Sequence, residues 1–273
     1  MRLLEIFQVD AFTAKPFGGN PAAVVPLHEW LPDEVMLRIA AENNLSETAF
    51  FVKEGDRYNI RWFTPTLEVN LCGHATLASA HVIFTELELE KGSIAFHSDK
   101  SGALGVERRG GRLVLDFPAY EITEIEQSDA LTQALGNVPE KVWGAINNGV
   151  MVRLETEQDV RELEPDFHAL AQLENERVYV TAPGVSCDFA SRMFAPKIGI
   201  AEDPVTGAMH CTLVPYWAEQ LGRRELFARQ VSKRGGELFC ELADGRVKIG
   251  GNAVTYLKGE IYVEAESEKS VGA

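Results

Sequence analysis

Hydrophobic and polar positions along this chain change period several times, and the changes mark out its elements. Residues 3–10 alternate with period two and predict a first strand. Residues 11–21 are rich in Gly and Pro and predict a loop, after which the apolar run 22–25 returns to strand. Val35, Leu37, Ile39 and Ala40 recur at helical spacing within 32–43, and Pro32-Asp33-Glu34 opens that segment as helix starts do. Strands follow at 45–52 and 58–63, then an almost uncharged helical run at 75–84, then short strands at 93–98, 102–108 and 112–117 separated by Gly-containing turns.

The second half repeats this plan. An acidic segment without strong periodicity, from Pro118 to about Gln127, predicts the boundary between halves. Short helices are predicted at 128–135 and 165–172, and strands at 141–146, 149–154 and 177–181. Extended segments at 192–194 and 198–200 precede a second apolar helix at 209–221. Strands close the chain at 230–232, 238–242, 246–250, 253–257 and 260–265, before a predicted disordered tail over 266–273.

A helix with few polar positions has to be buried on all sides. Strands curled around it do this better than a two-layer sheet. The expected fold is therefore α+β: two pseudo-symmetric domains, each a β-barrel-like sheet wrapped around a central α-helix. The predicted domains are 1–118 and 119–265, with the C-terminal strand a candidate to complete the first barrel. No GxGxxG or Walker pattern follows a strand, which argues against a nucleotide fold.

Composition narrows the functional classes. With 273 residues and 45% hydrophobic content, the chain can bury a core without metal or disulfide support. Its net charge of −15 argues against nucleic acid as a partner and weakly against anionic membranes. An anionic substrate would need positive potential supplied locally. The first ten residues are too charged for a signal peptide, and no apolar run is long enough to span a membrane. Cys72, Cys187, Cys211 and Cys240 have neither CxxC pairing nor zinc-site spacing, so the expectation is a reduced cytoplasmic protein with no metal.

The chemistry concentrates at two strand-to-helix turns, Asn70-Leu71-Cys72-Gly73-His74-Ala75-Thr76 and Glu202-Asp203-Pro204-Val205-Thr206-Gly207-Ala208. A Gly at a helix mouth admits close approach to unpaired N–H groups at the positive end of the helix dipole. Two such mouths, one per half, predict an anion site. Glu47 is expected to share a strand face with Leu45 and Ala49. An apolar face there favours the protonated carboxyl and suits a general acid/base; a solvent-facing strand-end Glu is the alternative. His74, at a helix start, is expected to be neutral, as a reactive group or as a structural His. His81 reads as packing, and His210 as a further candidate for the site. Asp203 reads as an N-cap carboxylate that also faces the site, and Cys72 as a thiol acidified by its helix.

These stretches make the chain resemble the PhzF-like phenazine biosynthesis family, which shares its fold with diaminopimelate epimerase. Matching segments run from Val9-Asp10-Ala11-Phe12-Thr13 and Pro16-Phe17-Gly18-Gly19-Asn20-Pro21-Ala22 through Asn44-Leu45-Ser46-Glu47-Thr48-Ala49-Phe50. They continue through Phe63-Thr64-Pro65-Thr66-Leu67-Glu68-Val69 and Cys72-Gly73-His74-Ala75-Thr76 to Arg192-Met193-Phe194-Ala195-Pro196 and Glu202-Asp203-Pro204-Val205-Thr206-Gly207. The resemblance implies two barrels with a site between them, cofactor-free isomerisation by proton transfer, a small carboxylate-bearing metabolite as partner, and a homodimer. It carries the family's acid/base Glu, His and Asp onto Glu47, His74 and Asp203. Asn20, Cys72, Gly73, Thr206, Gly207 and Ala208 form the expected substrate-binding set. Phenazine-making members carry Ser where this chain has Ala208. Cys72 matches the first of the epimerase's two thiols, whereas the second is replaced around Pro204. An amino-acid racemase or epimerase assisted by Cys72 and a non-catalytic metabolite-binding protein are the alternatives.

Overall fold

A computed structural model describes residues 1–264; the predicted tail lies outside the described residues. The first half runs β1 (Arg2–Ala11), β2 (Asn20–Leu27), α1 (Asp33–Asn43), β3 (Glu47–Glu54), β4 (Arg57–Phe63), β5 (Glu68–Val69), α2 (Gly73–Val82), β6 (Ser93–Ser98), β7 (Gly102–Arg109) and β8 (Arg112–Pro118). The second begins β9 (Thr123–Glu124), α3 (Asp129–Leu135), β10 (Lys141–Ala145), β11 (Gly149–Arg153), α4 (Glu157–Glu162), α5 (Phe167–Gln172) and β12 (Arg177–Pro183). It ends β13 (Phe189–Ala195), β14 (Ile200–Asp203), α6 (Gly207–Leu221), β15 (Glu225–Gln230), β16 (Gly236–Ala243), β17 (Arg246–Gly251) and β18 (Ala253–Val263).

Strand pairing shows the internal repeat directly. In the first half, β2 and β3 are parallel, β3 and β4 antiparallel, and β4 pairs with short β5 on one side and parallel β6 on the other. In the second, β11 and β12 are parallel, β12 and β13 antiparallel, and β13 pairs with short β14 and parallel β15. Each apolar helix sits between the short strand and the parallel one. Helix α2 buries His74 to Ala80 without a break, and α6 buries ten of its residues, Met209 to Val214 among them. Neither helix has a polar face to give to water, so the surrounding strands enclose them.

Among the described residues, two strand pairings join the halves. β18 returns to pair with β1 along its whole length, from Arg2 opposite Val263 to Ala11 opposite Ala253. β8 pairs antiparallel with β17, from Leu113 opposite Gly251 to Pro118 opposite Arg246. The acidic linker is tied down by chemistry that α6 creates for itself. Pro215 has no N–H to give the carbonyl four residues back. That carbonyl, Cys211 O, accepts instead from Tyr120 N at 3.0 Å, while Ala119 N donates to Gly245 O at 3.0 Å.

Several expectations shift here. The central helices start at Gly73 and Gly207, so both glycines are the first helical residues. Leu45 lies in the turn before β3 and packs with Phe50 and Phe63 outside the barrel, so it does not share the Glu47 face. Ala49 and Phe51 do share that face, which looks onto α2. Helix α4, unmarked by hydrophobic period, is nucleated by a reciprocal cap between Thr156 and Asp159. The two closing segments predicted after residue 253 form the single strand β18.

Candidate active site

Helix α2 delivers Cys72 and His74, and β3 delivers Glu47. His74 Nε2 lies 3.2 Å from Glu47 Oε2, with side chains only 7% and 14% exposed. On the other ring edge, His74 Nδ1 lies 3.5 Å from Cys72 Sγ and 3.2 Å from Asn20 Nδ2. Glu47 Oε2 is buried and, among the described residues, has no hydrogen bond of acceptable angle despite the nearby ring. A buried carboxylate oxygen left in that state calls for an explanation.

Asn20 joins this group to the second half. Its Nδ2 donates to Asp203 Oδ1 at 2.8 Å and to Val205 O at 2.9 Å, while its Oδ1 accepts from Ser46 Oγ at 3.4 Å. An amide has only two hydrogens, and these two acceptors use both. A protonated His74 Nδ1 then has Cys72 Sγ as its acceptor. Asn20 is itself held by its loop. Gly19 adopts φ +61°, with a Cβ at that position falling 2.0 Å from Ala11 O. Arg234 clamps the turn through Asp10 Oδ1 at 2.7 Å, Gly18 O at 2.8 Å and Gly19 O at 2.9 Å.

The second mouth is braced by Gln230, which sequence reasoning placed in a strand without a role. It is fully buried; its Oε1 accepts from Thr206 N at 2.7 Å and its Nε2 donates to Asp203 O at 2.7 Å. The only sequence signal was a polar residue where the barrel wall should be apolar. Thr206, not Asp203, is the N-cap residue of α6, and its hydroxyl donates to Asp203 Oδ2. Neither helix mouth carries a side-chain cap or an acidic residue in its first turn, so the leading N–H groups keep their positive potential. A Cβ at Gly207 would meet nothing within 4 Å, and one at Gly73 only the Phe117 ring at 3.6 Å. Ala208 follows at the second mouth. His210 turns away from it: Nδ1 donates to Thr206 O at 2.8 Å, and burial lowers the ring to about 4. His81 packs as expected, with Nε2 3.0 Å from Thr255 Oγ1.

Electrostatics overturn two expectations. Burial pushes the Cys72 thiol up to about 11, the Glu47 charge adding to it, so the helix dipole does not produce a thiolate. For His74, burial works against the imidazolium while Cys72 and Glu47 work for it, and the balance lies well above the ordinary value. His74 is thus a proton-rich ring, not the neutral one expected at a helix start. Burial raises Asp203 to about 6 against the opposing pull of His74. Two other concavities, a groove of about 490 Å³ beside Arg112 and Phe239 and a smaller one beside Tyr120, contain none of these residues.

Two pseudo-symmetric barrels around central helices make up the epimerase-like fold, with a carboxylate–imidazole pair at the helix mouths. The sequence pattern of the phenazine biosynthesis-like proteins (PhzC-PhzF) matches residues 9–259, and the chain belongs to that family. An uncharacterized isomerase of Pseudomonas aeruginosa is 54% identical over 258 residues, spanning 94% of this chain and 98% of that one. The crystal structure of a PhzF-family protein from Enterococcus faecalis superposes with a TM-score of 0.93 at 45% identity, covering 96% and 100% of the two chains. A predicted epimerase from Pseudomonas aeruginosa shares the fold alone, with a TM-score of 0.72 at 18% identity over 96% and 100% of the chains.

Proposed function

We propose that this protein is a cofactor-independent isomerase that moves a proton on a small carboxylate-bearing metabolite held between the two barrels. The observation that carries this reading is the buried Glu47 Oε2, unpartnered yet 3.2 Å from His74 Nε2. An oxygen so placed has a free lone pair for a C–H proton and a neighbouring ring to share it with. Glu47 takes the proton from one carbon and returns it at another position. His74 keeps Glu47 supplied or relieved of that proton, and Asp203, held by Asn20 beside the ring, bears on its charge and orientation.

The substrate carboxylate and any enolate charge sit against the N–H groups at Gly73-His74 and Gly207-Ala208, where positive potential is fixed in advance. Thr206 and Asn20 spend their donors within the protein, so they shape the space while the helix-mouth N–H groups hold the anion, and Ala208 leaves a methyl where a hydroxyl would add a further polar contact. A two-thiol racemase is a poor fit. Cys211 Sγ points back at Gly207 O, 3.6 Å away inside the helix, and the Cys72 thiol holds its proton to about 11.

The test is proton exchange followed by NMR in D₂O over a panel of carboxylated metabolites, comparing wild type with Glu47→Gln. Removing a positioned acid/base group costs about 10²–10⁴-fold. Exchange at one carbon should fall by that factor in a variant with an unchanged fold. Equal exchange rates in the two proteins would remove Glu47 from the chemistry. Saturable anion binding with no exchange in wild type would make the protein a binder.

A further inference from the structure

Glu47, Cys72 and His74 also form a ligand set, of which sequence spacing gives no sign because Glu47 arrives from a different strand. One atom from each, Glu47 Oε2, Cys72 Sγ and a His74 ring nitrogen, lie within 4.8 Å of one another. Specifically, His74 Nε2 is 3.2 Å from Glu47 Oε2 and 4.0 Å from Cys72 Sγ. Zinc bond lengths at a tetrahedral angle place nitrogen and oxygen ligands about 3.4 Å apart and sulfur and nitrogen about 3.6 Å apart. The first separation is nearly met already, and a small side-chain rotation of Cys72 meets the second. Glu47 Oε2 brings the independent sign that something is absent: a buried oxygen without a hydrogen bond.

We propose that Glu47, Cys72 and His74 bind a borderline-soft divalent cation of the Zn²⁺ class, reversibly, in the site where the proposed proton transfer occurs. Three protein ligands leave a fourth position for water or an anion, as in exchangeable rather than structural zinc sites. The ligand set of sulfur, imidazole and one carboxylate excludes Mg²⁺ and Ca²⁺, which need more oxygen donors. Binding replaces the Cys72 S–H bond with a metal–sulfur bond and the His74 Nε2–H bond with a metal–nitrogen bond, and releases both protons to solvent with no change of oxidation state. The bound cation occupies the lone pairs of Glu47 and His74. Under the function proposed above it is therefore an inhibitor, and substrate and metal exclude each other.

The test uses Co²⁺ as probe on the full-length, reduced, metal-free protein, and its readout does not depend on turnover. Saturable binding should give a near-ultraviolet thiolate-to-cobalt charge-transfer band with intense visible bands of four-coordinate Co²⁺, bleached by Zn²⁺ and untouched by Mg²⁺. Cys72→Ser should lose the charge-transfer band, and Cys187→Ser should retain it. Glu47→Gln, whose shape is conserved, should keep the band but weaken Co²⁺ affinity by more than about tenfold, the lower end of what even supporting groups contribute at metal sites. A band that survives in Cys72→Ser, one that disappears in Cys187→Ser, or a folded wild type without saturable Co²⁺ absorption would each overturn the proposal. Loss of exchange activity in Glu47→Gln with no cobalt band in wild type would leave the proposed function standing and remove the metal site alone.

Discussion

Asp203 shows how one buried group couples this site to the stability of the whole chain. In the folded protein it holds its proton to about 6, against an ordinary carboxyl value of 3.8. Between these values the folded state binds more protons than the unfolded one, so the contribution of this group to stability falls as pH rises through the window. Asp203→Asn removes that dependence while keeping an acceptor for Asn20. The unfolding free energy of the variant relative to wild type should rise by up to about 3 kcal/mol between about pH 4 and pH 7. That figure is an upper bound, because Asp203 keeps part of its surface open to water. Urea titrations at both pH values measure it, and a flat difference would show that Asp203 is not held protonated. At this scale the residues that come together were more legible in the sequence than their charge states. Helix-dipole reasoning made Cys72 acidic and His74 neutral. Burial of the thiol and the Glu47 carboxylate, brought in from β3, outweigh a dipole worth about 0.3–1 kcal/mol.

The two glycine mouths separate function from folding at the level of the element. Gly207 is the first residue of α6, and a methyl there meets nothing within 4 Å. Gly207→Ala lowers the entropy of the unfolded chain and improves helix propensity, so stability should hold or rise by about 0.4–1 kcal/mol. The same methyl projects into the space proposed for the substrate anion, so KM should rise, or anion binding weaken, without loss of fold. Thermal unfolding together with a substrate titration separates the two effects; unchanged binding would take the anion away from this mouth. Gly19→Ala should do the opposite. It combines φ +61° with a Cβ 2.0 Å from Ala11 O, so the variant should lose stability first and activity as a consequence. The hairpin strands were legible where alternation was strong, and α2 as an uncharged apolar run with no polar face. Helix α4 was not: a capping box sets it and no apolar stripe accompanies it. β13 was seen only in part, because a strand buried on both faces loses its alternation.

At the scale of the molecule, the repeat was visible in the chain as two Gly-opened apolar helices flanked by strands. How the halves join was not visible, since register and partner choice depend on contacts between residues far apart in sequence. That joining has a thermodynamic consequence. β18 follows the second-half strands directly yet completes the pairing of β1, and β8 leans on β17 along most of its length. Asn20 and Asp203 add a half-buried bond between halves at the site itself. Opening the second half alone would take β17 from β8, leaving it paired only with β7, and pull on β18, leaving unpaired backbone that costs about 1–3 kcal/mol for each group that stays buried. The halves should therefore unfold together, despite each having its own central helix. Native-state hydrogen exchange measures this directly: the slowest amides of α2 and α6 should share one opening free energy and one dependence on denaturant. Two distinct values, with one helix opening at markedly lower cost, would mean that β8–β17 and β1–β18 act as seams between independent units. The relative placement of Glu47, His74 and Asp203 would then be set by docking of the halves rather than by a single cooperative fold.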